Sequence, residues 1–263
     1  MAEEKVRLGG MALQNGVLVH GPQAWAAAVR LPDGRIEVAA AGKRFRAADL
    51  EQPFLRGPAR LLEALAILPE LRRLLPAAKL PFERRAVLAT MLGSAIGVRV
   101  LRGSTRLGPA AQELASGLLS LAPAALALRG SDLAAYHGAG HVSIGTYEHG
   151  ETRAKEHERC GSHLLGPLLA TSAVAGTLAA RAPIGLRGPA RVGASIGALA
   201  ATTEIFGWMV RNPERRLARL LARPGHELQH RLATAEPSAA QLEVAEAALR
   251  ACLELEHGDH RRD

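Results

Sequence analysis

Residues 164–180 read LLGPLLATSAVAGTLAA, a run of seventeen positions without a charged side chain. As an α-helix this run would measure about 26 Å, against about 30 Å for the hydrocarbon core of a bilayer. Three further stretches are nearly as apolar, at 86–98, 114–128 and 192–210. Alanine, leucine and glycine dominate them, with few β-branched residues in long runs, which favours helix over sheet. The sequence therefore predicts a mainly α protein whose centre is a helical bundle.

Two environments fit these apolar helices. In a membrane, their glycine and alanine content would permit close helix packing. Glu204 interrupts the fourth stretch, however, and a carboxylate at mid-bilayer costs roughly 2.5–3.5 kcal/mol unless it has a partner or a wet cavity. In a soluble protein the same helices would form a packed core, and the mean hydropathy of the chain is only +0.04. Hydropathy alone leaves both environments open.

The first 52 residues follow a different pattern, which predicts a small N-terminal β region and makes the fold α+β. An apolar run occupies 17–19, and two further runs, 24–31 and 35–38, flank Pro32-Asp33-Gly34. Proline presets φ for a turn, aspartate can bond the backbone beyond it, and glycine tolerates a positive φ. We therefore expect a β-hairpin at this tripeptide.

Composition limits the classes of partner. Lys+Arg 33 against Asp+Glu 25 gives a net charge of +8 over 263 residues, but aromatic residues make up only 3%. Few aromatic residues argue against single-strand nucleic-acid binding through stacked bases, and no recognition motif accompanies the basic charge, so we expect no nucleic-acid partner. The two cysteines, Cys160 and Cys252, exclude a disulfide scaffold and suit a reducing compartment. The opening MAEEKVRLGG has no apolar core, so we expect no cleavable signal peptide.

The chain becomes basic after the fourth apolar stretch, where residues 211–225 read RNPERRLARLLARPG. This segment is either a solvated helix face or a cytoplasmic juxtamembrane segment facing anionic lipid. An amphipathic helix with an acidic side follows at 239–255. We predict three parts: an N-terminal β-hairpin region, a helical region with the histidine cluster, and a C-terminal helix and tail, at 1–52, 53–235 and 236–263.

Histidine is the most informative residue type. Five of the ten histidines fall between 137 and 163, together with Cys160 and several glutamates. His137-x3-His141 would place two rings on one helix face, close enough to share an ion, and His157-x2-Cys160 could offer a nitrogen and a sulfur from one turn. Mixed nitrogen and sulfur donors are typical of zinc. We therefore predict a divalent metal site, with zinc preferred, whose ligands are His137, His141, His157 and Cys160.

Two glutamates are the next candidates, as ligands or proton carriers. Glu148 lies between the two pairs in sequence, and Glu204 could enter from the fourth apolar helix. Other interpretations remain open: hydrogen-bonded structural histidines, a surface cluster whose charge changes near pH 6–7, or a Cys160 nucleophile with His157 as its base. We expect exposure for His149, beside a turn glycine, and either a ligand or an interface role for His163.

Several short motifs occur in an order that resembles the YqhQ-like family of bacterial proteins. The motifs are GGMALQNGV at 9–17, PFLRG at 53–57, YHGAGH at 136–141, YEHG at 147–150, HERCGS at 157–162 and QLEVA at 241–245. The family is generally described as predicted metal-dependent enzymes with several membrane-spanning helices and no established reaction. The resemblance implies a membrane protein with a metal centre at the histidine motifs, and it also places a glutamate where Glu204 lies.

The chain departs from the family pattern at three positions. Met11 and Asn15 stand where the family has glutamine and glutamate, and Gly140 replaces the glutamate inside its YHGAEH signature. The chain therefore looks like a divergent member that has lost polar groups while keeping the histidines and Cys160. These replacements are compatible with a member of the family that has lost its catalytic activity.

These observations predict a metal-dependent enzyme of the cytoplasmic membrane, acting by metal-activated hydrolysis on a small or lipid-linked substrate that the sequence does not name. Membrane lipid is the expected partner, and a homo-oligomer is compatible with the packing of small residues. The alternative is a metal-stabilised membrane scaffold or pseudoenzyme without turnover. A third class, a soluble basic binding module in the cytoplasm, predicts that the protein stays in the supernatant when membranes are pelleted at low salt.

Overall fold

A computed structural model of the chain describes residues 5–129 and 132–259. Within these ranges the protein is mainly helical, with one small antiparallel sheet near the N-terminus. The predicted fold class is therefore confirmed. The strands are β1 Gly9–Leu13, β2 Gly16–His20, β3 Ala24–Arg30 and β4 Ile36–Gly42. The helices are α1 Arg56–Leu65, α2 Leu68–Leu74, α3 Arg85–Gly103, α4 Pro109–Ser120, α5 Ala122–Leu128, α6 Leu133–His149, α7 Leu165–Ala180, α8 Arg187–Arg211, α9 Arg216–Leu228 and α10 Ala239–Asp259.

The four strands follow one another as a meander, in the order β1-β2-β3-β4. The predicted hairpin is the β3–β4 connection. There the Gly34 amide donates to the carbonyl of Leu31 at 2.9 Å, and Asp33 accepts from the amide of Arg35 at 3.1 Å. Gly34 has a φ of 87°, which explains why glycine occupies this position. β4 extends to Gly42, beyond the short apolar run that marks it in the sequence.

Helices cover both faces of this sheet, and we call the whole unit the sheet region: β1–β4 with α2, α6 and α10. One face presents Leu18 and Trp25 to α2 and the loop that follows it. The other face presents Val17, Val19 and Ala26 to α6 and α10. Alternating side chains of a strand point to opposite faces, so two covered faces explain why β2 and β3 are buried along nearly their whole length.

The remaining long helices form two packed hairpins, which we call the helical hairpins: α3 with α4–α5, and α7 with α8. Contacts between α4 and α7 join the two. Among the residues that the structure describes, three helical stretches are long and apolar enough to cross a membrane: Arg85–Gly103, Pro109–Leu128 and Gly161–Ala180. Only 11% to 22% of their most apolar windows is buried. Large apolar side chains are exposed along them, including Leu92, Ile96, Val100, Val174 and Leu178.

Candidate metal centre

The candidate metal centre begins on α6, which lies between the strands of the sheet and the loop that follows the helix. His137 and His141 lie one turn apart, so their rings share a face of the helix, with centroids 4.3 Å apart. Glycines let other backbone approach this helix closely. A side chain at Gly138 would collide with the carbonyl of Ala235, and Gly150, with a φ of 77°, ends the helix.

The loop after α6 brings a sulfur to these two rings. Cys160 precedes a short 3-10 helix, Gly161–Leu164, and its Sγ lies 3.5 Å from Nε2 of His137. One donor atom from each of His137, His141 and Cys160 lies within 4.8 Å of the other two. Two segments of chain, separated by more than a turn of helix and a loop, therefore converge on one point.

The other ring nitrogen of each histidine is fixed by a backbone carbonyl. Nδ1 of His137 donates to the carbonyl of Ala233 at 2.8 Å, and Nδ1 of His141 donates to that of Lys155 at 2.6 Å. Each ring therefore carries a proton on Nδ1, so Nε2 is the atom of the neutral ring that can bind an ion. Metal-binding histidines are oriented in this way, and two nitrogens with one sulfur form a donor set suited to zinc. The residues present fit a divalent metal ion.

The thiols of Cys160 and Cys252 have different pKa values because their surroundings differ. Burial raises the pKa of the Cys160 thiol, but the hydrogen bonds and charge of His137 and His141 outweigh it and lower the pKa to about 4. Burial lowers the pKa of His137, but the hydrogen bond and charge of Cys160, together with the bond to the Ala233 carbonyl, outweigh it and raise the pKa. Cys252 lies fully buried on α10, where burial and the charge of Glu256 raise its pKa to about 12. Cys160 is therefore the thiol with the character of a ligand.

His157 lies beside the three donors, with its ring centroid 5.5 Å from that of His141. Both of its ring nitrogens are engaged elsewhere. Nδ1 accepts from the amide of Arg159 at 3.2 Å, and Nε2 donates to Glu148 at 3.2 Å. Arg159 also contacts the Glu148 carboxylate. Burial raises the pKa of Glu148, and the bonds from His157 and Arg159 lower it by more. His157 and Glu148 thus form a polar pair next to the cluster.

Glu204 occupies a different place. Its carboxylate is bonded by Arg56, with an N–O distance of 2.5 Å, and accepts from the amide of Phe54 at 3.1 Å. These bonds attach the segment before α1 to α8, where Thr203 packs against Gly57. The described contacts of Glu204 are with this segment, whereas the three donors lie between α6 and the start of α7.

One residue that the sequence analysis missed organises the centre. Gln229 is fully buried and belongs to a π-helix, Gln229–Ala233, which follows α9. Its Oε1 accepts from the amide of His157 at 2.9 Å, and its Nε2 donates to Ser162 at 2.6 Å. The same π-helix supplies the Ala233 carbonyl that fixes His137. The sequence signal is an amide at helical spacing among the buried positions Ala218, Gly225, Gln229 and Ala233.

Gln229 also defines the environment of His163. The ring of His163 is buried, and its Nδ1 accepts from Nε2 of Gln229 at 3.2 Å. His163 thus belongs to the hydrogen-bonded support of the loop. His149, the last residue of α6, is exposed and donates from Nδ1 to the carbonyl of Gly145 at 2.9 Å.

A cavity of about 190 Å³ opens beside the three donors, between α6 and strand β1. Its lining includes His137, His141, Cys160 and two of the positions that depart from the family pattern, Met11 and Gly140. The third departure lies elsewhere. Asn15 donates to the carbonyl of Ala77 at 3.0 Å and accepts from the amide of Lys79 at 2.9 Å, so it ties the sheet to the loop after α2.

Comparison with known proteins gives one finding. Residues 131–255 match the sequence model of a family described as a protein of unknown function, DUF1385. The match takes in α6–α9, the π-helix and most of α10, and it therefore contains all three donors. No curated protein and no solved structure gives a significant match to the chain.

Proposed function

We propose that the protein is a metal-dependent enzyme of the hydrolase type, acting at a membrane, whose ion is zinc held by His137, His141 and Cys160. The observation that carries the proposal is the convergence of three donor atoms whose two imidazoles are oriented by backbone carbonyls. The adjacent cavity supports catalysis, because catalytic zinc sites keep a position for water or substrate and structural sites are closed by four protein ligands.

Each neighbouring residue has a definable task. When bound, the ion supplies Lewis-acid chemistry, which polarises an ester or phosphoryl oxygen and activates water. Glu148 can accept a proton at its carboxylate, and its bond from His157 holds both groups beside the cavity. Arg159, on the same carboxylate, restrains its position. His157 as a fourth ligand remains a prediction, which would require rotation of its ring away from Glu148. Glu204 as a proton carrier also remains a prediction.

The family assignment and the membrane location belong to the same proposal. We infer a divergent YqhQ-like protein, since the match to a family of unknown function covers the histidine motifs that carry the resemblance. Three helices of spanning length, largely exposed, support insertion in the cytoplasmic membrane. The replacements at Met11 and Gly140 leave the cavity without the polar groups of the family pattern, so its chemistry depends on Glu148 and His157.

One observation favours the alternative, a metal-stabilised scaffold without turnover. The donors join α6 to the segment that begins α7, so an ion there would clamp the sheet region to a helical hairpin. A scaffold predicts that metal removal unfolds this junction and that the bound ion has no exchangeable water. An enzyme predicts an exchangeable water with the fold retained.

The test is the metal content of the protein, purified from membranes in detergent and measured by inductively coupled plasma mass spectrometry. We expect about one zinc per chain in the wild type and a much lower zinc content in His137→Ala and Cys160→Ser, because each variant has lost a ligand. His149→Ala and Cys252→Ser are matched controls, since both residues lie outside the donor group, and they should keep the metal. A metal-free wild type, or equal metal in Cys160→Ser and Cys252→Ser, would overturn the proposal.

A further inference from the structure

A second and larger cavity, of about 640 Å³, lies on the other side of the His157–Glu148 pair. It opens between the end of α6, the loop after α6, and the junction of α8 with α9. Its volume is in the range of small-molecule sites, about 300–1,000 Å³. His157 and Arg159 line both this cavity and the smaller one beside the donors, so the two cavities are neighbours that share a wall.

One wall of the large cavity is cationic. Lys5, Arg7, Arg153, Arg159 and Arg219 line it, against the carboxylates Glu148, Glu156 and Glu158. Glu148 is bonded by His157 and Arg159, and Glu156 accepts from His230 at 3.1 Å. Arg7 and Arg219 have no ion pair within the part of the chain that the structure describes. The wall therefore carries more positive than negative charge and offers guanidinium groups for an anion.

Another part of the lining is apolar, and we call it the apolar wall. Phe206, Met209 and Val210 contribute from the end of α8, and Ala218 and Ala222 contribute from the first turns of α9. His163, which also lines the cavity, lies in the first turn of the candidate span Gly161–Ala180. In the membrane insertion proposed above, this end of the span, and with it the cavity, would lie near the lipid surface.

From these two walls we propose that the large cavity binds an anionic amphiphile, with a phosphate or phosphate-ester head on Arg7 and Arg219 and an apolar chain along Phe206 and Met209. The inference deepens the proposed function. The binding of this ligand is argued from the cavity, and only its role as the substrate rests on the proposed function. Because Arg159 and His157 line both cavities, a ligand in the large cavity would lie next to the donor cavity. A free phosphate would use the cationic wall alone, and an uncharged alcohol the apolar wall alone.

The experiment is calorimetric titration of the whole protein in phosphatidylcholine nanodiscs with octyl phosphate, inorganic phosphate and octanol. We expect saturable binding of octyl phosphate, at least about tenfold tighter than either of the others. Arg219→Glu should weaken it by at least about tenfold, because the charge that faces the head is reversed. Arg223→Glu is the matched control on α9, because Arg223 is exposed and does not line the cavity. It should change the affinity by less than about twofold.

The inference is overturned if Arg219→Glu and Arg223→Glu bind octyl phosphate equally, or if empty nanodiscs take up as much as loaded ones. If inorganic phosphate binds as tightly as octyl phosphate, the proposed contact of an apolar chain with Phe206 and Met209 is overturned. Titrating both chelator-treated and zinc-loaded protein separates this inference from the proposed function. Zinc uptake without octyl phosphate binding defeats the inference alone, and octyl phosphate binding to a protein that never takes up zinc defeats the proposed function alone.

Discussion

The sheet region and the helical hairpins differ in how far their apolar side chains are buried. In the sheet region, Trp25, Leu18 and Val19 are fully or almost fully buried under helices on both faces. In the helical hairpins, Leu92 on α3 is 69% exposed and Ile196 on α8 is 62% exposed. Contiguous exposed apolar surface of this kind marks an interaction site. The sheet region buries its core under its own helices, whereas the hairpins leave large apolar side chains exposed, and lipid is their proposed covering.

The two regions also differ in how they use polar residues. In the sheet region a buried carboxylate, Glu256, accepts from the amides of Gln23 and Ala24 at 2.8 and 2.7 Å. In the hairpins, Glu113 is buried against Arg102, and Thr171 and Thr202 bond each other across α7 and α8. The donors of the candidate metal centre lie where the two regions meet. Substitutions can therefore be chosen to affect one region and leave the other intact.

The largest effect is expected from charges on the exposed face of α3. Leu92→Lys with Ile96→Lys should cost about 5–7 kcal/mol of membrane insertion, because each lysine at a helix centre costs roughly 2.5–3.5 kcal/mol. Val38→Lys, at a 47% exposed apolar position on β4, is the matched control and should have no such effect. The measurement is the fraction of protein in the membrane pellet after a low-salt wash. A wild type that stays in the supernatant would contradict the expectation and favour a soluble module.

The second effect concerns the sheet region alone. Glu256→Ala should lower the free energy of unfolding by about 2–3 kcal/mol, because it leaves two buried amides without an acceptor. Glu254→Ala, exposed on the same helix, should lower it by less than about 0.5 kcal/mol. Denaturant titration in detergent measures both. Equal loss from the two variants would mean that the Glu256 bonds do not stabilise the fold.

Gln229 tests the junction between the regions. Gln229→Ala should reduce metal affinity by about 10–100-fold, because the amide orients the loop that carries Cys160 without being a ligand. His230→Ala, next along the π-helix and largely exposed, is the control and should keep the affinity of the wild type. Competition with a colorimetric zinc chelator gives the dissociation constants of zinc from each variant. Unchanged affinity in Gln229→Ala would show that the loop holds its position without the buried amide.

The smallest effect is expected from Glu204. Glu204→Gln removes the ion pair with Arg56 and should lower the free energy of unfolding by about 1 kcal/mol, since both side chains are partly exposed. Metal content should not change. Arg56→Gln should give a similar loss, and the double variant little more than either. Loss of metal in Glu204→Gln would contradict the placement of Glu204 away from the donors and would support its predicted role in the chemistry.

The sequence predicts features that depend on local spacing. His137 and His141 share a face because they are four residues apart on one helix, and Pro32-Asp33-Gly34 makes a hairpin because its backbone preferences are local. The apolar runs likewise predict the long helices. These features need no information about distant parts of the chain.

The arrangement of the His157-x2-Cys160 pair could not be predicted from spacing. The His157 amide bonds to Gln229, 72 residues away, and the ring is engaged by Glu148 and the amide of Arg159. The orientation of His137 depends on the carbonyl of Ala233, in a π-helix whose place after α9 does not follow from the helical spacing of Gln229 and Ala233. The contacts of Asn15 could not be predicted from spacing either, because its hydrogen bonds are to a loop more than sixty residues later.

The most direct test of the central claim is the absorption spectrum of the cobalt-loaded protein. If His137, His141 and Cys160 bind one ion, Co²⁺ added to chelator-treated wild type should give a thiolate-to-cobalt charge-transfer band that saturates near one ion per chain. The band should be absent from Cys160→Ser, shifted or lost in His137→Ala and His141→Ala, and unchanged in Cys252→Ser. A wild type without the band, or a band that persists in Cys160→Ser, would contradict the claim.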